Sequence, residues 1–140
     1  MSEPWLYQLR IDLAEALAPA LRERPSDPAL GALPAILRRH DAKAVCQYDA
    51  FAGYVAEAER QGVENFPLHA WTKATIENPA KKAKYLKSFT LYIDGEEVYP
   101  RAPAEALEAE LRPLVGQGVI ERLAKHDTNP ANNPQPPRAP

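Results

Sequence analysis

The sequence predicts a single α+β domain over residues 1–128, an antiparallel sheet of about four strands with helices mainly on one face. Three observations carry this. Apolar residues occupy alternate positions in Trp5, Tyr7, Leu9, Ile11 and Leu13 and again in Phe89, Leu91 and Ile93, the period of a strand with one buried face. Between and after these runs the apolar residues recur at helical spacing, and Asp94-Gly95 follows the second run where a tight hairpin would turn. The 140 residues, 45% hydrophobic and 26% charged, suit one globular core rather than a disordered or fibrous chain.

Strand 1 is read over residues 5–13. A helix through Leu6, Leu9, Leu13 and Leu17 is the rival reading, and Pro19 would interrupt it. From Ala14 the period becomes helical, with Leu17 and Leu21 on one face until Pro25-Ser26-Asp27-Pro28 stops the run. Asp27 is placed to cap a second helix starting at Pro28, lined by Leu30, Leu33, Ile36 and Leu37. That helix ends in Arg38, Arg39 and His40, where the dipole favours positive groups. Residues 44–48 read as a short strand, and a helix from about Ala50 carries Phe51, Tyr54, Val55 and Ala58 to a stop at Gly62.

Residues 68–76 fit two readings. Leu68, Trp71, Thr72, Thr75 and Ile76 suit a helix, whereas the Trp and Thr content and the alternation of His69, Trp71, Lys73 and Thr75 suit a strand, which is the reading adopted. Asn78-Pro79 caps a short lysine-rich helix, the third strand follows through Ile93, and residues 96–99 return from the turn as a further strand. A helix after Pro103 buries Leu107, Leu111 and Leu114, Gly116-Gln117-Gly118 breaks it, and Val119 to Lys125 is a last short helical piece.

Prolines, 15 in all, fall between the periodic segments. Five lie after residue 128, and residues 129–140 contain no large apolar side chain, so this Pro/Asn-rich segment is expected to be a flexible, extended tail. No apolar run approaches the roughly 20 residues of a membrane span, and the opening Met1-Ser2-Glu3-Pro4 lacks the layout of a signal peptide. A soluble, cytoplasmic protein without membrane partners is expected.

Several chemistries find no support. The single cysteine, Cys46, offers neither an internal disulfide nor a thiolate cage. His40, His69 and His126 show no metal-ligand spacing, so no metal site is assigned. Gly116-Gln117-Gly118 lacks the lysine and the strand-to-helix setting of a phosphate loop, and Ser2, Ser26 and Ser88 lie in no GxSxG turn. No catalytic residue and no cofactor is assigned.

Two features remain. Lys73, Lys81, Lys82, Lys84 and Lys87 face only Glu77 in their own segment, with Trp71, Tyr85 and Phe89 interleaved. The next block is acidic: Asp94, Glu96, Glu97, Glu105, Glu108 and Glu110 against Arg101. Lys81, Lys82, Lys84 and Lys87 thus form a candidate patch for an anion or a protein partner. A net charge of −2 and the adjoining acids argue against nucleic acid. The second feature depends on the strand reading of residues 68–76, which would put His69, Trp71 and Lys73 on one sheet face beside Thr90 and Tyr92. His69 would then serve as a general base, Tyr92 as a proton donor or orienter and Lys73 as an anion clamp.

The order of strands and helices resembles the ferredoxin-like α+β plan, whose open sheet face often forms dimers. The resemblance is one of pattern and carries no site residues. The expected function is that of a noncatalytic binding or assembly protein, either a homo-oligomer or a small accessory subunit of a larger complex. The alternative is a small-molecule enzyme or acidic-metabolite binder with its pocket around His69, Trp71, Lys73 and Tyr92.

Overall fold

The computed structural model describes residues 6–127. Four strands, β1 (Tyr7–Leu13), β2 (Ala42–Cys46), β3 (Ser88–Ile93) and β4 (Ile120–Asp127), form one antiparallel sheet in the order β2-β3-β1-β4. Helices α1 (Ala18–Glu23) and α2 (Leu33–Arg39) join β1 to β2. Helices α3 (Gln47–Gln61), α4 (His69–Glu77) and α5 (Pro79–Leu86) join β2 to β3, and α6 (Arg101–Leu111) joins β3 to β4. Trp5 and the tail over residues 129–140 lie outside the described residues.

The alternation in β1 and β3 becomes the core. Leu9 lies opposite Leu91 and Ile11 opposite Phe89, all essentially sealed from water together with Leu13 and Ile120. Leu21, Leu30, Leu33, Leu37, Leu107 and Leu111 cover this face from α1, α2, α6 and the turn before α2. Each such side chain contributes about 1.5–3 kcal/mol of hydrophobic stabilisation on burial. The expectation of helices mainly on one face holds for α1, α2 and α6 only. Helix α3 packs against α4, where Val55 and Ala58 are buried on one and Thr72 and Thr75 on the other, and α3 and α5 stand at the margin of the opposite sheet face.

Local signals explain most boundaries. Asn78 accepts hydrogen bonds from the N–H groups of Ala80 (3.0 Å) and Lys81 (3.2 Å), and Pro79 opens α5. Asp27 accepts from Ala29 at 2.9 Å, but it caps only a 3-10 turn over Pro28–Leu30; α2 itself begins at Leu33, beyond Gly31. Tyr48, read as the end of a strand, belongs to α3.

Three sequence expectations are corrected. From His69 on, residues 68–76 are helical, within α4, with Leu68 at its N-cap, because Thr72 and Thr75 sit one turn apart and are buried where α4 meets α3; helix packing overrides the strand propensity of Trp and Thr. Val119 to Lys125 lies mostly in β4. A bulge sets Leu13 opposite Ile120 but Asp12 opposite Arg122, which places Ile120 and Leu123 on the core face three residues apart and imitates a helical stripe. Residues 96–99 form no strand. The Asp94-Gly95 turn is present, with both φ values positive (51° and 78°) and Ile93 and Glu96 exchanging hydrogen bonds at 3.0 and 2.9 Å. Beyond it the segment makes only isolated bridges, since β3 is already flanked by β1 and β2.

Candidate functional site

Strand alternation that sends Leu9 and Ile11 into the core sends Arg10 and Asp12 to the other face of the sheet. The register sets Arg10 between Thr90 and Ala124, Asp12 between Ser88 and Arg122, and Gln8 opposite His126. Helix α3 raises a wall through Ala50 and Phe51, and α5 adds Lys84 and Tyr85. The result is an open basin of about 380 Å³ lined by Arg10, Arg122, His126, Thr90, Tyr92 and the two helices. Phe51 and Tyr85 meet edge to face, ring centres 5.0 Å apart, and give the wall an apolar surface.

The polar groups of the basin divide unevenly. Its carboxylates are held by neutral donors: the Ser88 hydroxyl donates to Asp12 Oδ1 at 2.5 Å, and the Gln8 amide donates to the carbonyl (3.2 Å) and the carboxylate (3.3 Å) of Glu97. Arg10 Nε donates to Gln8 Oε1 at 2.6 Å, and Lys84 Nζ stands 5.4 Å from the centre of the Tyr85 ring. Among the described residues none of Arg10, Lys84 and Arg122 forms an ion pair. Elsewhere Arg22, Arg39, Arg101, Arg112 and Lys125 each meet a carboxylate.

His126 lies in the field of these cations. Burial lowers its pKa first, and Arg10 and Arg122 lower it further, so its imidazole is neutral near pH 7. Burial, aided by Glu97, raises the Tyr92 pKa and keeps its phenol protonated. The basin therefore presents two guanidinium groups, an ammonium, a phenol and a neutral imidazole, beside the hydrogen-bonded carboxylates of Asp12 and Glu97. Such a set holds an oxyanion by charge-assisted hydrogen bonds.

The four residues singled out from sequence do not converge. His69 and Lys73, one helical turn apart on α4, both approach Glu59 of α3, at 3.4 and 3.6 Å. Trp71 is exposed and stands edge-on to Phe51 at 6.2 Å without lining the basin. Tyr92 does line it, beside Thr90 as expected. Of the lysine patch, Lys84 reaches the basin, Lys87 pairs with Glu121 at 3.6 Å, and Lys82 lies 5.4 Å from the centre of the Tyr48 ring. Lys81 contributes its backbone N–H to the Asn78 cap.

Arg10, Asp12, Arg122 and His126 were missed. The signal for the first two was present in the polar half of the β1 alternation, whereas Arg122 was hidden by the helical reading of residues 119–125, and His126 fell just beyond its end. Among the described residues no group of three or more His, Cys, Asp and Glu is placed to hold a metal ion, and no helix is long and apolar enough to cross a membrane. Compared with protein-family models, curated proteins and solved structures, the chain matches none.

Proposed function

We propose that the protein binds a small organic anion, a carboxylate or phosphate ester, in the basin on the open face of its sheet. The observation that carries this reading is the presence of three cations, Arg10, Lys84 and Arg122, in one basin, none of them in an ion pair among the described residues, against the two carboxylates of Asp12 and Glu97, which neutral donors hold. The charged end of the ligand lies near Arg10, Arg122 and His126, and its apolar body lies against Phe51 and Tyr85. The strand order, with helical crossovers from β1 to β2 and from β3 to β4, supports a ferredoxin-like plan with α3–α5 inserted between the two central-sequence strands.

Thermal unfolding in the presence of sulfate, inorganic phosphate or benzoate tests the reading. A ligand at a hundred times its Kd stabilises the fold by about 2.7 kcal/mol, which raises the melting temperature measurably. Replacing Arg10 and Arg122 together by alanine should remove the rise. The proposal fails if no anion shifts the transition, or if the double variant keeps the shift.

A second reading, assembly with another protein, is favoured by Leu68 and Trp71, which are 59% and 54% exposed at the start of α4. Sedimentation of the purified chain tests its homo-oligomeric form, and Trp71→Ala should then shift the association.

A further inference from the structure

The sheet has two outer strands, and they are protected differently. Strand β4 carries a bulge and a dense run of charges, Glu121, Arg122 and Lys125, both of which discourage strand addition. Strand β2 has no bulge, and its sequence is Ala42-Lys43-Ala44-Val45-Cys46. Its outward backbone groups can be assigned from the ladder. Ile93 bonds to Glu96 on the far side of β3, and the Asp94 N–H donates to the Asp41 carbonyl at 2.9 Å. By alternation the Asp41–Asp94 and Lys43–Tyr92 pairs hold β2 to β3, so the N–H and C=O groups of Ala42 and Ala44 point away from the sheet.

Beside this edge runs a groove of about 280 Å³. Its floor is apolar, with Leu21, Pro34 and Leu37 from the helical side and the small side chains of Ala42 and Ala44 leaving the backbone accessible. The charged residues that line it are Arg22, Arg38 and Lys43, with no carboxylate among them. Arg22 is held by Asp49 at 2.7 Å, but Arg38 and Lys43 have no ion-pair partner among the described residues. Lys43 leaves β2 on the basin side of the sheet, whereas Arg38 comes from the helices on the core side. An added strand would meet a cation on each of its faces.

We propose that the β2 edge is a docking site for an extended acidic segment of a partner protein, which adds as a fifth strand beside Ala42–Val45. Main-chain hydrogen bonds to Ala42 and Ala44 supply register, apolar side chains enter the groove, and acidic side chains meet Arg38 and Lys43. A second copy of this chain fits less well. Antiparallel pairing of two β2 strands would bring Lys43 and Arg38 of both copies together, a like-charge contact that destabilises the pair. The inference is independent of the anion basin.

The test uses the full chain and two fluorescein-labelled valine-based strand probes, one carrying glutamate on both of its faces and one carrying lysine at the same positions, titrated by fluorescence anisotropy. The acidic probe should bind saturably, weaken with added salt and slow amide exchange at Ala42 and Ala44; the lysine probe should not bind. Ala44→Pro removes an outward donor without touching the ladder to β3, and should weaken the acidic probe about tenfold or more. Replacing Arg38 and Lys43 by glutamate should reverse the preference between probes, which keeps the proposal testable if the proline variant folds poorly. The proposal is overturned if the acidic probe fails to bind, or if both variants bind it as the parent does. It is also overturned if the parent self-associates through this edge and Ala44→Pro makes it monomeric.

Discussion

The Tyr99 hydroxyl bridges Leu9 and Leu91, accepting the Leu9 N–H at 2.8 Å and donating to the Leu91 carbonyl at 2.8 Å. Leu9 and Leu91 face each other in the β1–β3 register, so a side-chain hydroxyl takes part in the middle of the sheet ladder. Tyr99 is held there by its own backbone, which exchanges hydrogen bonds with Tyr7 at 2.7 and 2.9 Å. Tyr99→Phe keeps the ring but leaves a buried donor and acceptor without this partner, and should cost about 1–3 kcal/mol in urea unfolding. A variant as stable as the parent would show that Leu9 and Leu91 close the gap themselves.

The same residue gives the fold an alkaline limit. Burial pushes the Tyr99 phenol up to about 12, and the Leu9 N–H offsets only part of this. Unfolded tyrosine ionises near pH 10, so the contribution of Tyr99 is fully present below that pH and is lost between about pH 10 and 12. In Tyr99→Phe the overall stability is lower and this part of the alkaline slope is absent. Equilibrium unfolding at a series of alkaline pH values compares the two slopes, and identical slopes would contradict the assignment.

At the acid end the relevant group is Glu110 of α6, which accepts hydrogen bonds from Arg39 and His40 at the end of α2. Arg39 first and His40 second hold its carboxyl below the ordinary glutamate range. A depressed carboxylate stabilises the fold above its unfolded pKa and loses that contribution as pH falls through the folded value. The pair is solvent-exposed, so the effect is modest. Glu110→Gln should be slightly less stable at neutral pH and show a shallower acid limb; an unchanged limb would mean that α2 and α6 hold together by core packing alone.

How far the sequence revealed this molecule depended on whether one periodicity dominated each segment. Leu9, Ile11, Phe89 and Leu91 follow a clean period of two and lie where the alternation put them. The Asp94-Gly95 turn was legible because only a few residues tolerate two successive positive φ values. Ile120 and Leu123 were misread because a bulge, which is set by pairing with a distant strand, changes the spacing of core residues. Thr72 and Thr75 were misread because their burial depends on α3 rather than on their own propensities. The candidate site followed from these errors: once residues 68–76 became a helix, His69 and Lys73 turned to Glu59, and the sheet face passed to Arg10, Arg122 and His126.

Cys46 shows how burial silences a reactive group. Its thiol, 3% exposed as a residue, points at the carbonyls of Tyr85 (3.4 Å) and Leu86 (3.6 Å), and burial pushes its pKa up. A raised pKa leaves little thiolate at neutral pH, and the α5–β3 junction covers the sulfur. Iodoacetamide should alkylate Cys46 slowly in the native protein and at the rate of a free thiol in denaturant, as mass spectrometry would report. Equal rates would show that this junction opens freely.

The pH dependence of anion binding joins His126 to its neighbours in one measurable slope. Burial first, then Arg10 from β1 and Arg122 from β4, depress His126; Lys84, Tyr92, Asp12 and Glu97 also line the basin. A bound anion offsets the two guanidinium charges and favours the imidazolium, so binding takes up a proton. Affinity for benzoate or sulfate should therefore rise as pH falls below neutrality, roughly tenfold for each unit by which the anion raises the imidazole pKa. In the free protein the sign is opposite, since a depressed histidine stabilises the fold above its unfolded pKa and loses that contribution as pH falls through the lower folded value. His126→Gln keeps a hydrogen-bonding side chain without the titration, and should bind the anion with a nearly flat pH profile. Calorimetric titrations in two buffers of different ionisation enthalpy count the protons taken up. Uptake that persists in His126→Gln would assign the titration to another group and remove His126 from the site.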